Sequence, residues 1–257
     1  MIGLQIKLNK EIAFKNEFDS IITTENYRDS IIKMSNNEPS EILRIINNME
    51  NSYPNIVYAK PYKDTVRIFG FGDKGVLAIN SIFKNVLLNK GLKIKDETYQ
   101  VVGIPTINDN FDFLPHNNGR WNTYTTITPI NIFNRHNHKV FKSILCRYFE
   151  NGIFDASKTD KVEAFYKNIQ EFATENLRDS IAYMCASILN RNKSEFEFVN
   201  SINFEWEDMI IVHRKYHSQE MKMPMIKGRF KCNFVLPKFI GYKIGKGFGE
   251  LSLKNGN

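Results

Sequence analysis

The chain has 257 residues, 42% hydrophobic, 13% aromatic and 25% charged, with a net charge of +7. At about 150 residues per domain this is one large domain or two small ones, and the apolar and aromatic content argues against intrinsic disorder. No apolar run approaches the roughly 18–20 residues that cross a bilayer, and the first eight residues alternate like a strand rather than a signal peptide.

Ile2, Leu4, Ile6 and Leu8 predict a first strand. A polar connection runs to Pro39, after which Ile42, Ile45, Ile46 and Met49 recur at helical spacing over 40–49. Ile56-Val57-Tyr58 and residues 65–71 predict two strands joined by Lys60-Pro61-Tyr62-Lys63-Asp64, a polar turn that suits a hairpin. Asp73 precedes a helix over 75–88, apolar at Val76, Ile79, Ile82, Phe83, Val86 and Leu87, which Gly91 ends. Residues 92–94 and 99–104 return to extended character. This β-α-β-β-α-β order matches a ferredoxin-like unit.

The second half reads as a repeat of that order. Residues 123–133 are rich in Thr and Ile but contain Pro129, so they predict an edge strand. Helices are expected over 138–149 and 160–189, then strands over 196–199, 202–206, 209–216 and 226–236. Residues 108–122 hold Asp, Asn, Pro and Gly without periodicity, which places the boundary near residue 120, between units 1–120 and 121–257. Cys146, Cys185 and Cys232 are odd in number and widely spaced, which excludes a fully paired disulfide framework and any CxxC site. A reducing, cytoplasmic setting fits them.

Charge and glycine concentrate at the C-terminal end. Residues 212–257 hold ten Lys or Arg against Glu220 and Glu250, a local charge of +8, while the preceding 211 residues sum to −1. Such a segment attracts polyanions, nucleic acid above all; the alternative is a solvated basic surface. Within it Ile226, Gly228, Phe230, Cys232 and Phe234 alternate with Lys227, Arg229 and Lys231, which puts three cations on one face of a strand. Gly241, Gly245, Gly247 and Gly249 then fall within nine residues, with Lys243 and Lys246 among them. Glycines let a backbone approach an anion closely, and they equally permit a tight connection. The spacing matches neither a P-loop nor a dinucleotide-binding fingerprint.

The alternating strand with Lys227-Gly228-Arg229-Phe230, followed by Gly241-Tyr242-Lys243-Ile244-Gly245-Lys246-Gly247-Phe248-Gly249, resembles the glycine-rich loop of the RAMP superfamily. It is most similar to the CRISPR-associated endoribonucleases that cut precursor CRISPR RNA within each repeat. Thr128-Pro129-Ile130 stands where that family often has Ser-Pro-Ile at the start of its second domain. The motif likeness covers about 40 residues, the likeness in architecture both halves. It implies an α+β fold of tandem ferredoxin-like (RAMP/RRM-like) βαββαβ domains with a C-terminal glycine-rich loop. It also implies antiviral RNA processing without metal or cofactor: the ribose 2′-hydroxyl attacks the adjacent phosphate and leaves a 2′,3′-cyclic phosphate and a 5′-hydroxyl.

That chemistry needs a base, an acid and cations on the phosphorane. Many family members carry a catalytic His in the first unit, whereas this chain has none before His116. The role falls to Tyr27, to a lysine such as Lys10 or Lys15, or to His136 or His138 of the second half; otherwise the protein binds without cutting. His136 and His138 lie in a polar connection beside Arg135 and Lys139 that can hold a phosphate, although exposed loop histidines are usually inert. The RNA-binding set is Arg214, Lys215, His217, Lys227, Arg229, Lys231, Gly241, Tyr242, Lys243, Gly245, Lys246, Gly247 and Gly249. Tyr242 is its stacking candidate, and Arg214 with Lys215 would lie on a hairpin that enters an RNA groove. The expected partners are CRISPR repeat RNA and, for a non-catalytic RAMP subunit, the subunits of an effector complex, with the chain itself a monomer or homodimer. A small-molecule-binding α+β protein with a basic end is the remaining reading.

Overall fold

The computed structural model describes residues 2–14, 17–48, 54–107, 114–134, 136–150, 153–154, 159–216, 219–246 and 248–254. Its first part runs β1 (Ile2–Leu8), α1 (Glu17–Met34), α2 (Ser40–Ile46), β2 (Ile56–Tyr62), β3 (Thr65–Gly70), α3 (Gly72–Asn89), β4 (Gly91–Ile94), β5 (Glu97–Gly103) and β6 (Thr106–Ile107). The strands form one sheet in the order β2-β3-β1-β5-β4, with β6 also paired to β1. Alternation sends Leu4, Ile6, Tyr58, Val66 and Ile68 into a core shared with Ile31, Ile45, Ile79 and Ile82 of the helices. Burying each such aliphatic side chain contributes about 1.5–3 kcal/mol.

The connection expected after β1 holds an 18-residue helix, α1. Its buried side is interrupted by Thr23, Thr24 and Ser30 beside Tyr27 and Ile31, so no clean apolar stripe marks it in the sequence. The left-handed residue that closes α3 is Lys90, at φ 51°, and Gly91 opens β4 instead.

The second part runs β7 (Asn122–Thr126), α4 (His138–Tyr148), β8 (Phe149–Glu150), β9 (Ile153–Phe154), α5 (Thr159–Leu189), β10 (Phe204–Tyr216), β11 (Gln219–Cys232) and β12 (Leu251–Lys254). Its main sheet has the order β10-β11-β7-β12, which repeats β2-β3-β1-β5 of the first. The fold is therefore α+β, two ferredoxin-like sheets in tandem. Phe133, Phe141 and Phe172 cluster in the second core with ring centroids 4.5–5.7 Å apart, tying the start of the connection after β7 to α4 and α5.

Four expectations are corrected. β7 is an interior strand, because it ends at Thr126 and Pro129 lies beyond it, where the missing N–H breaks no ladder. Residues 197–201 form a 3-10 turn rather than a strand. β10 is continuous from 204 to 216, with a bulge at Glu207 where the sequence suggested a break. β11 ends at Cys232, and between it and β12 the described residues form no α-helix, only a 3-10 turn at Ile244–Lys246. The second unit thus replaces its second helix with the glycine-rich segment.

Candidate functional site

The glycine-rich segment is laid on the residues that follow β7. Gly249 N donates to Pro129 O at 3.0 Å and Tyr242 N to Asn131 O at 2.7 Å. Thr128 Oγ1 accepts from Glu250 N at 2.9 Å. The two sequence signals, Thr128-Pro129-Ile130 and the glycine run, are therefore one structural unit. Gly249 sits at φ +75°, and a Cβ there would lie 1.9 Å from Ile240 O; one on Gly241, at φ +93°, would lie 2.7 Å from Asn131 O. Only glycine fits either position, so these two serve the tight connection. Lys243 takes a left-handed φ of 59° without being glycine, a conformation that costs on the order of 1 kcal/mol. The surrounding protein desolvates its ammonium and lowers its pKa.

The same segment covers the first sheet. Phe239 and Ile244 pack on Val57, Ala59, Phe69 and Phe71, the face of β2 and β3 that points away from the helices. Phe69 and Phe239 lie 5.4 Å apart between centroids, and Lys238 Nζ sits 5.1 Å over the Phe69 ring. Arg67 on β3 donates to both oxygens of Glu250, at 2.8 and 3.2 Å. A Cβ on Gly245 would meet Asn48 Nδ2 at 2.7 Å, so this glycine marks close contact between the loop and the segment after α2.

The turn before α4 carries His136 and His138, both exposed. Asn134 Oδ1 accepts from His136 N at 2.8 Å and from Asn137 N at 2.9 Å, while Asn137 Oδ1 accepts from Asn134 N at 2.8 Å. Asn137 is held in turn by Ile132 O and Asn176. Asn134 Nδ2 donates to the Tyr242 hydroxyl at 3.0 Å, which joins the histidine turn to the glycine-rich segment. The structure thus brings the turn that carries His136 into contact with the segment that carries Tyr242. Tyr242 is only half-buried, but its hydroxyl is held at both ends, by Asn134 and by Asp179 Oδ2 at 2.7 Å.

On the β10–β11 hairpin the alternation is as read, with Ile226, Phe230 and Cys232 buried and Lys227, Arg229 and Lys231 on the other face. That face is not a bare row of cations. Arg229 Nε lies 2.7 Å from Glu207 Oε2 and its Nη2 3.7 Å from Asp208, while Lys231 Nζ lies 3.6 Å from Glu207. The bulge at Glu207 creates this pairing, which simple alternation did not foresee. Gly228 allows it, since a Cβ there would meet Asp208 O at 2.0 Å. Past Met225 the described strands pair only with each other, so Arg214 and Lys215 lie on a projecting hairpin, with Lys215 opposite Lys222. Lys15, His217 and Gly247 lie outside the described residues, as do the side chains of Arg214, Lys215 and Lys246.

Two expected bases are placed elsewhere. Tyr27 is fully buried, its hydroxyl donates to Ala59 O at 2.6 Å, and burial pushes its pKa well up. This phenol is packed in the first core. Lys10 is an exposed partner of Glu97 Oε2 at 2.5 Å, and that pair raises its pKa. Among the described residues, no three His, Cys, Asp or Glu side chains gather as a metal-binding set, and no helix is long and apolar enough to cross a membrane. Glu250, Asp179, Asn134 and Glu207 are the site residues that sequence reasoning did not single out.

No protein-family model matches the chain, and no curated protein matches it. Solved structures do. A Cas6b crystal structure superposes with a TM-score of 0.65 at 19% identity, over 99% of this chain and 100% of that one. A CRISPR RNA processing endoribonuclease Cas6b gives 0.57 at 18% identity, also over 99% and 100%. A RAMP protein binding different RNA substrates gives 0.57 at 13% identity, again over 99% and 100%. Over its whole length, this chain has the fold of the Cas6 and RAMP proteins.

Proposed function

We propose that this protein binds CRISPR repeat RNA and cleaves it within the repeat, without a metal. The observation that carries the reading is the hydrogen-bonded junction of the glycine-rich segment with the histidine turn, on a fold shared with a CRISPR RNA processing endoribonuclease and an RNA-binding RAMP protein. In this reading a base at the turn, His136 or His138, takes the proton of a ribose 2′-hydroxyl. The 2′-oxygen bonds to phosphorus, the bond from phosphorus to the 5′-oxygen breaks, and an acid returns a proton to that oxygen. Imidazole serves either proton role near neutral pH. Lys243 and Lys246 supply positive charge to the phosphorane, and the hairpin with Arg214 and Lys215 contacts the RNA beyond the cut. The unit boundary near residue 120 belongs to the same proposal.

A second reading, an RNA-binding RAMP subunit that does not cut, is favoured by the burial of Tyr27 in a chain that has no histidine before His116. The test is cleavage of repeat RNA by wild type and by a His136→Ala/His138→Ala variant. A variant that binds normally and cuts at least about a hundredfold more slowly supports the proposal. A wild type that binds tightly and never cuts supports the subunit.

A further inference from the structure

Tyr242 belongs to the glycine-rich segment, yet the partners of its hydroxyl lie outside it. The hydroxyl donates to Asp179 Oδ2 on α5 at 2.7 Å and accepts from Asn134 Nδ2 at 3.0 Å. Asp179 is also ion-paired with Lys193, whose Nζ lies 4.4 Å over the Tyr183 ring. Toward the tyrosine it therefore offers acceptors only. With the one hydroxyl proton committed there, the phenolic oxygen keeps only lone pairs for Asn134. The Asn134 amide must face it with its NH2 group, which turns Oδ1 toward the backbone. There it accepts from His136 N and Asn137 N, at 2.8 and 2.9 Å. The chain of donors has one direction, from the histidine turn through Asn134 and Tyr242 to Asp179. Burial and the neighbouring Asp179 push the Tyr242 pKa well up, so the hydroxyl keeps its proton across the working pH range.

We infer that Tyr242 is a positioning residue: from the glycine-rich segment it orients the Asn134 amide, and through it the turn that presents His136 and His138. This rests on the proposed role of those histidines. It departs from the stacking role expected of Tyr242, because a ring anchored through its hydroxyl on two partners is held for the turn rather than for a base.

Tyr242→Phe keeps the ring and deletes the link. Two readouts in the full chain separate the inference from the reading beneath it. The first is amide hydrogen exchange at His136 and Asn137, expected to be roughly fivefold faster or more, the scale of one lost hydrogen bond. The second is RNA cleavage at saturating enzyme, expected to fall roughly tenfold while RNA affinity stays within about twofold, because the reacting groups are displaced and not removed. If Tyr242→Phe does not fold, Asp179→Ala is the second variant: it leaves Asn134 and both amides in place and removes the acceptor that fixes the Tyr242 hydroxyl, with the same two effects expected. Unchanged exchange at both amides overturns the inference. Lost affinity with an unchanged saturated rate also overturns it and returns Tyr242 to direct RNA contact. Wild-type cleavage by the His136→Ala/His138→Ala variant defeats the catalytic reading instead, and amide exchange then still decides whether Tyr242 holds the turn.

Discussion

Replacing Arg67 by Met tests how the glycine-rich segment is fastened to the first sheet. The Glu250 side chain is 0% exposed and that of Arg67 is 18% exposed, so the substitution strands a carboxylate with no access to water. Removing one partner of such a buried pair costs about 3–5 kcal/mol, most of it the uncompensated charge. For a chain of this size, at about 2–4 °C per kcal/mol, the melting temperature falls by roughly 6–20 °C. Removing both partners, in Arg67→Met/Glu250→Leu, takes the stranded charge away and regains most of the loss. Urea denaturation measures the loss. A loss below about 1 kcal/mol, the scale of an exposed pair, or a double variant no better than the single, refutes the reasoning.

Glu207→Gln removes the ion pair of Lys231 and the shorter of the two at Arg229, whose contact with Asp208 remains; RNA binding is expected to tighten, and its salt dependence to steepen by roughly 0.7 for each further phosphate that the released charge neutralises. Affinity and slope that do not move would take this strand face out of the RNA interface. Gly249→Ala forces a Cβ against Ile240 O at a φ of +75° and is expected to cost about 3 kcal/mol or more by urea denaturation. Gly119→Ala, at φ +71° with nothing within 4 Å, costs only about 1–2 kcal/mol of backbone strain, and equal losses at the two sites would contradict the packing argument. Burial pushes Cys185 up to about 11 and Cys232 up to about 12, while Cys146 is exposed. One thiol is expected to react with a thiol reagent in the native state and three after unfolding. The unfolded chain ionises both buried thiols from about pH 8.5, so the stability they hold at neutral pH is lost as pH rises, about 3–4 kcal/mol by pH 10. Constant stability between pH 7.5 and 10 would oppose this.

Where burial and period agree, the sequence was readable: β1 at Ile2, Leu4, Ile6 and Leu8, the β2–β3 hairpin, α3, and the two faces of β11. α1 was lost because Thr23, Thr24 and Ser30 occupy buried positions that an apolar pattern leaves to aliphatics. The glycine-rich segment was legible as a motif, but that it lies against Thr128-Pro129 was not. What it grips was not legible. Arg67 and Glu250 are 183 residues apart, and Asn134 and Tyr242 are 108 apart, with nothing local in either sequence to pair them. The cations of β11 were legible as a face, but the bulge that brings Glu207 and Asp208 against them depends on pairing with β10.

In the proposed function, this protein cuts RNA through a ribose 2′-hydroxyl. Labelled CRISPR repeat RNA, incubated with the protein in excess EDTA beside copies carrying a single 2′-deoxy nucleotide at each position in turn, tests it most directly. Cleavage of the all-ribose RNA is expected at one place, abolished by the one deoxy substitution just 5′ of the broken bond, with a 2′,3′-cyclic phosphate on the upstream product. Tight binding without any cut, or cutting that needs a divalent ion and ignores every deoxy substitution, would contradict it.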